Sequence, residues 1–191
     1  MSQSESQGWK VLASEEGYRS PYLQVMKEHV RTPSRPEGVH WTVARRASAA
    51  IVAPRTTDGK YVLIKQERVA VQQAMWEFPA GQVDGAVSEE TIRETALREL
   101  GEETGLECRG ELIPLGYFFS PPGFTDERGY LFLATNVEPR EGGASHDEHE
   151  AILEVGEFTI DELREMISTG EISDANTQVT YARLHARGLI S

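Results

Sequence analysis

Alternating apolar and polar positions predict β-strands along most of the chain. This pattern, or a short apolar run typical of a buried strand, occurs in residues 9–20, 22–32, 40–45, 47–53, 61–64, 112–119, 130–134 and 151–158. Residues 32–38, which are rich in proline and glycine, and residues 57–59 predict turns. The first two strands predict a hairpin or an N-terminal extension.

Helical spacing of apolar residues occurs in three segments, each followed by a glycine. One ends at Gly105, and the other two are residues 160–166 and 177–186. Residues 138–149 are polar and contain glycine, which predicts a mobile loop. Strands interleaved with a few helices favour an α/β fold in which a mixed sheet packs between helices.

The helix that ends at Gly105 is unusually acidic and contains Glu89, Glu90, Glu94, Glu99, Glu102 and Glu103. At about 100° per residue, Ile92, Ala96 and Leu100 form an apolar stripe with Leu97 at its edge. The last three glutamates cover the neighbouring arc, and Glu103 projects into the angular range of the stripe. We therefore expect one carboxylate at the buried edge of the helix.

Two interpretations of these carboxylates are open. A solvated acidic face is the usual meaning of a charge run. A metal site is the alternative, because carboxylates at i, i+3 and i+4 can meet a common point and all-oxygen ligation suits Mg²⁺ or Mn²⁺. Burial of a carboxylate costs free energy unless a cation compensates it. We favour the metal site because Glu103 cannot point fully into water.

Composition limits the class of protein and the partners with which this chemistry is compatible. The chain has 191 residues, a net charge of −12, 39% hydrophobic and 26% charged residues, as expected of a soluble globular protein. The negative charge argues against a nucleic-acid partner, but a small phosphate ester remains compatible because divalent metals reverse the local potential. The single cysteine, Cys108, excludes an intramolecular disulfide. Without a leader or a membrane-spanning run, we expect a cytoplasmic location.

Residues 98–106 read R-E-L-G-E-E-T-G-L, and seven residues separate Glu90 from Arg98. This stretch resembles the second half of the Nudix hydrolase signature, G-x5-E-x7-R-E-U-x-E-E-x-G-U with U aliphatic, at every fixed position. The departure is upstream, where eight residues instead of five separate Gly81 from Glu90 and indicate three extra loop residues. The resemblance runs from about His40 to Gly188.

Three flanking stretches are similar to the ADP-ribose pyrophosphatase branch of that family. The first is Trp76-Glu-Phe-Pro-Ala-Gly81, and the second is Ser120-Pro-Pro-Gly-Phe-Thr-Asp-Glu127, with Pro122 sixteen residues after Leu106. The third, residues 170–175, opens the last helix. The spacing to Pro122 is associated with ADP-ribose hydrolysis, and the same prolines also suit a rigid turn.

The resemblance implies a fold and a set of site residues. The fold is a Nudix-type α/β/α sandwich over residues 46–191 with an N-terminal β extension over residues 1–45. The implied metal ligands are Glu99, Glu102, Glu103, Glu150 and the Ala80 carbonyl. Gly81, Glu90 and Arg98 would support the loop and the helix, the last two by ion pairing.

The resemblance also implies catalytic and substrate-binding residues. Glu148, in the predicted mobile loop, is the candidate general base, and Glu102 is the second catalytic candidate. An exposed acidic loop is the alternative for residues 147–150, and His149 is expected to be a bystander. The implied substrate contacts are Arg68, Trp41 and Glu127. Arginine suits phosphates. Trp41 fits base stacking, and a core or interface position is the alternative.

The function implied is Mg²⁺-dependent hydrolysis of ADP-ribose to AMP and ribose 5-phosphate, with Mn²⁺ as a second possible metal. Another nucleoside diphosphate sugar is the runner-up, and nucleoside triphosphates are disfavoured. The alternative from a different class is a catalytically silent nucleotide-binding module, against which the intact glutamates argue. The resemblance also implies a homodimer that exchanges N-terminal strands, with no nucleic-acid or membrane partner.

Overall fold

The computed structural model describes residues 8–145 and 151–190. These residues form two compact units, which divide the chain at Ala47 and Ser48. The first unit contains residues 8–47 together with Phe119–Arg128, and the second contains Ser48–Phe118 and residues 129–190. Phe119–Arg128 thus belongs to the same unit as the described part of the segment expected to be an N-terminal extension.

The elements are β1 (Lys10–Arg19), β2 (Gln24–Thr32), β3 (Arg35–Arg45), β4 (Ala49–Thr56), β5 (Tyr61–Arg68), β6 (Gln73–Glu77), β7 (Ala80–Gln82), α1 (Glu89–Thr104), β8 (Leu106–Cys108), β9 (Leu112–Phe119), β10 (Arg128–Pro139), β11 (Ile152–Phe158), α2 (Ile160–Thr169) and α3 (Ala175–Ala186). Each strand predicted from alternation is present within a few residues. The helical segments are present too. Helix α2 begins at the predicted residue and ends three residues later, and α3 begins two residues before the predicted range.

The first unit is a three-stranded antiparallel sheet in the order β1-β2-β3. A buried carboxylate, Glu28, pairs with Arg45 at 2.7 Å, and Arg45 also pairs with Asp126 at 2.7 Å. The Ala44 amide donates to the Phe124 carbonyl at 2.7 Å. These contacts hold Phe119–Arg128 against the sheet.

The turn predicted over residues 32–38 is shorter than expected. Thr32 already pairs with Arg35, so the turn itself contains two residues and β3 begins at Arg35. Pro36 lies inside β3, where proline is tolerated because β3 is an edge strand of the described sheet. The prolines in this run therefore indicated an edge strand as well as a turn.

The second unit is built on an eight-stranded mixed sheet with the central path β11-β5-β4-β10-β8. Strands β4 and β10 are parallel, whereas β4 and β5 are antiparallel and meet only at Arg55 and Tyr61. Beyond that point β6 pairs with β5 and β7 pairs with β4. Residues 73–82 therefore fill the gap between two diverging strands.

The two faces of this sheet carry separate apolar clusters. One face packs against α2 and α3 through Leu163, Met166 and Leu184. The other face packs against α1 through Ile92, Ala96 and Leu100. Helices on both faces of a mixed sheet make the α/β/α arrangement that the sequence predicted.

Two features of the second unit differ from the sequence prediction. The short strands β6, β7 and β8 were not predicted. Strand β10 continues to Pro139, so it includes the first residues of the segment expected to be a loop from residue 138. In the described residues, no helix is long and apolar enough to cross a membrane.

Candidate active site

Helix α1 is fixed at both ends and along one side. Ser88 caps its first turn by accepting from the Thr91 amide at 3.1 Å, and the Thr91 hydroxyl accepts from the Ser88 amide. Gly105 ends the helix in the left-handed conformation. The predicted apolar stripe is buried and Leu97 at its edge is 42% exposed. Packing of the stripe sets the direction in which the glutamates project.

Two of the predicted metal ligands on α1 are almost fully buried. Glu99 is 3% exposed and Glu103 is 1% exposed. This burial confirms the expectation that a carboxylate lies at the inner edge of the helix, and it extends that expectation to Glu99. Charges buried to this degree require compensation by cations or hydrogen bonds.

Gly81 provides the space that the Glu99 carboxylate occupies. A Cβ atom placed on Gly81 would overlap Oε1 and Cδ of Glu99. Gly81 lies in β7, where it pairs with Ala50 of β4. The glycine is therefore required for close approach of the strand to the helix.

The neighbouring residue of β7 contacts the second buried carboxylate. The Ala80 amide donates to Oε2 of Glu103 at 2.9 Å. Ala80, Gly81, Glu99 and Glu103 thus lie together at the gap between β4 and β5. The Ala80 carbonyl was predicted as a ligand, and the observed contact uses the amide of the same residue.

Arg98 links the carboxylates of α1 to one another. Its guanidinium lies 2.7 Å from Glu99 and 2.6 Å from Glu102. Burial lowers the pKa of Arg98, but the two carboxylates outweigh burial and raise that pKa above its usual value. Arg98 therefore stays charged and offsets part of the negative charge.

The supporting role of Glu90 stays a prediction. Glu90 is exposed in the first turn of α1 and forms no ion pair with another described residue. Arg98 lies eight residues later, about 12 Å along the helix axis at the usual rise, so the two side chains cannot pair directly. Glu90 instead stands where an anionic side chain favours the helix macrodipole.

The carboxylates of α1 are held by groups of the protein in this structure, and their metal-binding role stays a prediction. Within residues 8–145 and 151–190, no three His, Cys, Asp or Glu side chains are arranged as a metal site. The physical reason is that Arg98 holds Glu99 and Glu102 while the Ala80 amide holds Glu103. We call Glu99, Glu102 and Glu103 the cradle. The cradle fits a hard divalent ion, because all three side chains offer carboxylate oxygens.

Arg68 and Glu77 form a second charged group beside this cradle. Nε and Nη2 of Arg68 donate to both oxygens of Glu77 at 2.5 to 3.1 Å, and Glu77 is 2% exposed. The pair raises the pKa of Arg68. Burial raises the pKa of Glu77, and Arg68 opposes that effect. Glu103 and Asp174 also act on Arg68 electrostatically.

Asp174 connects α3 to this part of the sheet. It caps α3 by accepting from the Thr177 amide at 2.7 Å and from the Thr177 hydroxyl at 2.9 Å. The same hydroxyl accepts from the Phe78 amide at 2.9 Å. The start of the last helix, which the sequence had singled out, thus holds the connection between β6, which contains Glu77, and β7, which contains Ala80.

Two predicted substrate contacts belong to the first unit. Trp41 is 51% exposed, and its Nε1 donates to the Gly123 carbonyl at 2.8 Å. Glu127 pairs with Arg46 at 3.2 Å. Trp41 also lines a groove of about 830 Å³ whose other walls include Trp9 and Pro122.

Glu148, His149 and Glu150 lie outside the described residues. The described residues on either side are attached to the site. The Ser145 amide donates to the Glu102 carbonyl at 2.9 Å, and the Glu67 amide donates to the Ala151 carbonyl at 3.0 Å. Ser145 is thus bonded to the last turn of α1, and Ala151 is bonded to the strand that carries Arg68.

Comparison with known proteins identifies the family. A model of the NUDIX domain matches residues 44–177, which is more than half of the chain. The chain belongs to the Nudix hydrolase family. It is a Nudix pyrophosphohydrolase, and Nudix hydrolases generally use divalent metal ions.

Three relatives of this Nudix protein carry different functional names. It is 31% identical to the ADP-ribose pyrophosphatase of Bacillus subtilis, covering 88% of each chain. It is also 31% identical to the methanol dehydrogenase activator of Bacillus methanolicus, covering 92% of this chain and 91% of the relative. The GDP-mannose pyrophosphatase of Enterobacter sp. is 31% identical and covers 77% of this chain and 78% of its own. Equal identities do not select a substrate.

A solved structure supports the fold independently. The crystal structure of an ADP compounds hydrolase matches with a TM-score of 0.75, covering 96% of this chain and 98% of that chain at 20% identity. The similarity confirms the Nudix-type α/β fold.

Sequence reasoning missed Glu77 and Asp174 as members of the site. Glu77 lies within the apolar run 75–78, and a carboxylate in such a run indicates a buried ion pair. Asp174 precedes a helical segment, which is a capping position. Both signals are visible in the sequence, but only the fold brings them to Arg68.

Proposed function

We propose that this Nudix protein hydrolyses the pyrophosphate bond of ADP-ribose. Water adds to one phosphorus, the bridging P–O bond breaks, and the products are AMP and ribose 5-phosphate. The leaving phosphate takes the electron pair of the broken bond, and the proton of the attacking water passes to a general base. Sequence similarity to an ADP-ribose pyrophosphatase over 88% of the chain carries this proposal.

A second observation favours the same substrate. Pro122 stands at the spacing associated with ADP-ribose hydrolysis, and it lines the groove beside Trp41. The groove is mostly apolar and has an aromatic ring on its wall, which suits a planar base. Trp41 would stack on the base, and Glu127 would contact the same nucleoside portion.

Mg²⁺ is the proposed metal, with Mn²⁺ as a substitute. Glu99, Glu102, Glu103 and the Ala80 carbonyl would hold it, joined by Glu150. When bound, a divalent ion neutralises charge on the phosphates and lowers the pKa of water. For Glu99 and Glu102 to serve as ligands, a bound metal ion must take over the carboxylate contacts that Arg98 now makes.

Arg68 is the proposed phosphate contact. Among the described residues, Glu77 pairs with Nε and Nη2 of Arg68. Nη1 is therefore left to donate to a phosphate oxygen. The pair also fixes the plane of the guanidinium, so ordering Arg68 on binding costs little further entropy.

Glu148 is the proposed general base. The described neighbours on the two sides, Ser145 and Ala151, are hydrogen-bonded to Glu102 of α1 and to Glu67 beside Arg68, which supports this role. Glu102 is the next candidate for the base.

A GDP-sugar is the second candidate substrate. The GDP-mannose pyrophosphatase relative is as similar per residue as the ADP-ribose pyrophosphatase, although the alignment covers less of the chain. The metal cradle and Arg68 act only on the pyrophosphate, so they serve both substrates. The base and sugar contacts would then determine which substrate is used.

We also propose a homodimer that exchanges N-terminal strands. All ten residues of β1 are exposed in the single chain. Val11 and Leu12 of this strand, together with the preceding Trp9, present apolar surface. Apolar surface of this kind is typical of an interaction face. Light scattering of the full chain tests this, with Val11→Glu expected to shift the mass toward the monomer.

A substrate panel tests the function. The full chain with Mg²⁺ is given ADP-ribose, GDP-mannose, ADP-glucose and ATP, and products are identified by mass. We expect the highest kcat/KM with ADP-ribose. A higher value with GDP-mannose would replace the substrate and keep the chemistry, while no cleavage of any compound would favour a binding module.

A further inference from the structure

The chain that leaves β10 runs along the end of α1. We call residues 140–145 the exit segment. The Arg140 amide donates to the Gly105 carbonyl at 2.9 Å, and the Ser145 amide donates to the Glu102 carbonyl at 2.9 Å. Both acceptors belong to the last turn and cap of α1. The exit segment therefore satisfies carbonyls that the helix itself leaves without partners.

The Arg140 side chain organises this segment from within. Its Nε donates to the Gly143 carbonyl at 2.7 Å and its Nη2 donates to Oγ of Ser145 at 3.3 Å. A planar guanidinium with several donors can hold two points of one loop at a fixed separation. Arg140 thus sets the shape of the exit segment.

Gly101 of α1 makes room for that guanidinium. A Cβ atom on Gly101 would overlap Nη1 of Arg140 and lie 3.1 Å from its Cζ. Gly101 occupies an unrestricted position of the family signature, and glycine in a helix interior is destabilising relative to alanine. Its backbone does not require glycine, because its φ angle is not in the left-handed region. Close approach of Arg140 is the structural reason for glycine here.

The charge of Arg140 suits its position. The last turn of α1 contains no basic residue of its own, and it contains the acidic Glu102 and Glu103. A cation near the C-terminus of a helix interacts favourably with the helix macrodipole. Arg140 supplies that cation from outside the helix.

We propose that Arg140 is a positioning residue, which holds the exit segment in fixed register with the turn that carries Glu102 and Glu103. The proposal rests on the hydrolase function proposed above. Glu148 and Glu150, assigned there as base and added ligand, come three and five residues after Ser145 in the sequence. A displacement of about 1 Å in such a group can reduce the rate by about a hundredfold.

Gly101→Ala is the decisive variant. It displaces Arg140 while leaving every carboxylate in place, and it adds a better helix former. We expect kcat to fall roughly 10- to 100-fold, with KM changing by less than about threefold. The melting temperature should stay equal or rise. Lower activity with undiminished stability is a result that a purely structural role would not give.

Further variants test the coupling between the two residues. Arg140→Ala should lower kcat to a similar extent, and Arg140→Lys should recover only part of it because lysine lacks the planar fork. The double variant should lose no more than either single variant. Arg109→Ala is the matched control, because Arg109 is an exposed arginine whose ion pair, among the residues that the structure describes, is with the nearby Glu107.

Hydrogen exchange provides a measurement that does not depend on activity. The Ser145 amide should exchange faster in Gly101→Ala and Arg140→Ala than in the wild type and in Arg109→Ala. Unchanged exchange, or wild-type kcat in Gly101→Ala, would overturn the role of Arg140. A wild-type chain that cleaves no substrate would instead overturn the hydrolase function, and exchange would still decide the role of Arg140.

Discussion

The carboxylate of Glu99 occupies the space that a side chain at Gly81 would fill. Glu99 comes from α1 and Gly81 from β7, a three-residue strand that pairs with β4. The helix and the strand therefore approach so closely at this point that only glycine is accommodated. This relationship links the first glycine of the signature to its glutamates, even though three extra residues lie in the loop between them.

Gly81→Ala should strongly reduce both stability and activity. The new methyl group must displace either the buried Glu99 carboxylate or strand β7, and overpacking of this kind costs about 1–3 kcal/mol. Urea unfolding and turnover with Mg²⁺ measure the two effects. Gly17→Ala is the control, since a Cβ there meets its nearest atom, the Val25 carbonyl oxygen, at 3.5 Å. Normal turnover in Gly81→Ala would show that Glu99 does not need this space.

Much of the fold follows from local patterns in the chain. Strand β9 has the predicted bounds, and the stripe on α1 is buried as its spacing predicted. Strand β7 was missed because three residues cannot show a period, and its pairing with β4 is between distant parts of the chain. The contact of Arg140 with Gly101 was missed for the same reason.

The candidate site was predictable in its residues more than in its contacts. The signature predicted which glutamates of α1 lie together, and burial of Glu103 followed from the helical angle. The pairing of Arg68 with Glu77 depends on β5 and β6 lying side by side, which the sequence does not specify. The ion pairs that compensate these buried charges could therefore be identified only from the fold.

Glu103→Gln should keep the fold and remove most of the activity. Glutamine can still accept from the Ala80 amide, so the observed contact survives. The negative charge is lost, which weakens metal binding and charge stabilisation. Melting temperature and ADP-ribose turnover at saturating Mg²⁺ measure the two effects. Glu94→Gln, an exposed position on the same helix, serves as the control, and turnover near the wild-type rate in Glu103→Gln would refute the metal assignment.

Arg68→Met should destabilise the protein more than the double variant Arg68→Met/Glu77→Leu. The single change leaves Glu77 buried without its partner, and breaking buried pairs costs about 3–5 kcal/mol. We expect a loss near the lower end, because 41% of the Arg68 side chain is exposed. The double change removes the buried charge together with its partner. Equal losses in the two variants would show that the pair is not the source of the stability.

The loss in Arg68→Met should depend on pH. Burial already raises the pKa of Glu77, and removal of Arg68 takes away the interaction that lowers it. A carboxyl whose pKa is raised in the folded state contributes stability at low pH, and that contribution is lost as the pH rises through the raised pKa. The deficit relative to wild type should therefore shrink as the pH falls from about 7 to about 4. Urea unfolding at several pH values measures it.

Glu148→Gln and Glu150→Gln should reduce activity in different ways. A lost general base lowers kcat by roughly a hundred- to ten-thousandfold, with KM much less affected, and this is expected for Glu148→Gln. A lost ligand weakens metal affinity instead, so activity in Glu150→Gln should recover in part as Mg²⁺ or Mn²⁺ is raised. Steady-state kinetics over a range of metal concentrations separates the two patterns.

The assignment within residues 147–150 has a clear control. His149→Gln should retain activity, because the proposed chemistry uses carboxylates on both sides of it. If Glu150→Gln shows the loss of kcat and Glu148→Gln shows the recovery with added metal, the roles of the two residues are exchanged. The base then still lies in this segment. If neither variant lowers kcat by about a hundredfold, the base lies elsewhere. Glu102 would then be tested next, because its carbonyl already holds the Ser145 amide and its side chain reaches the same cradle.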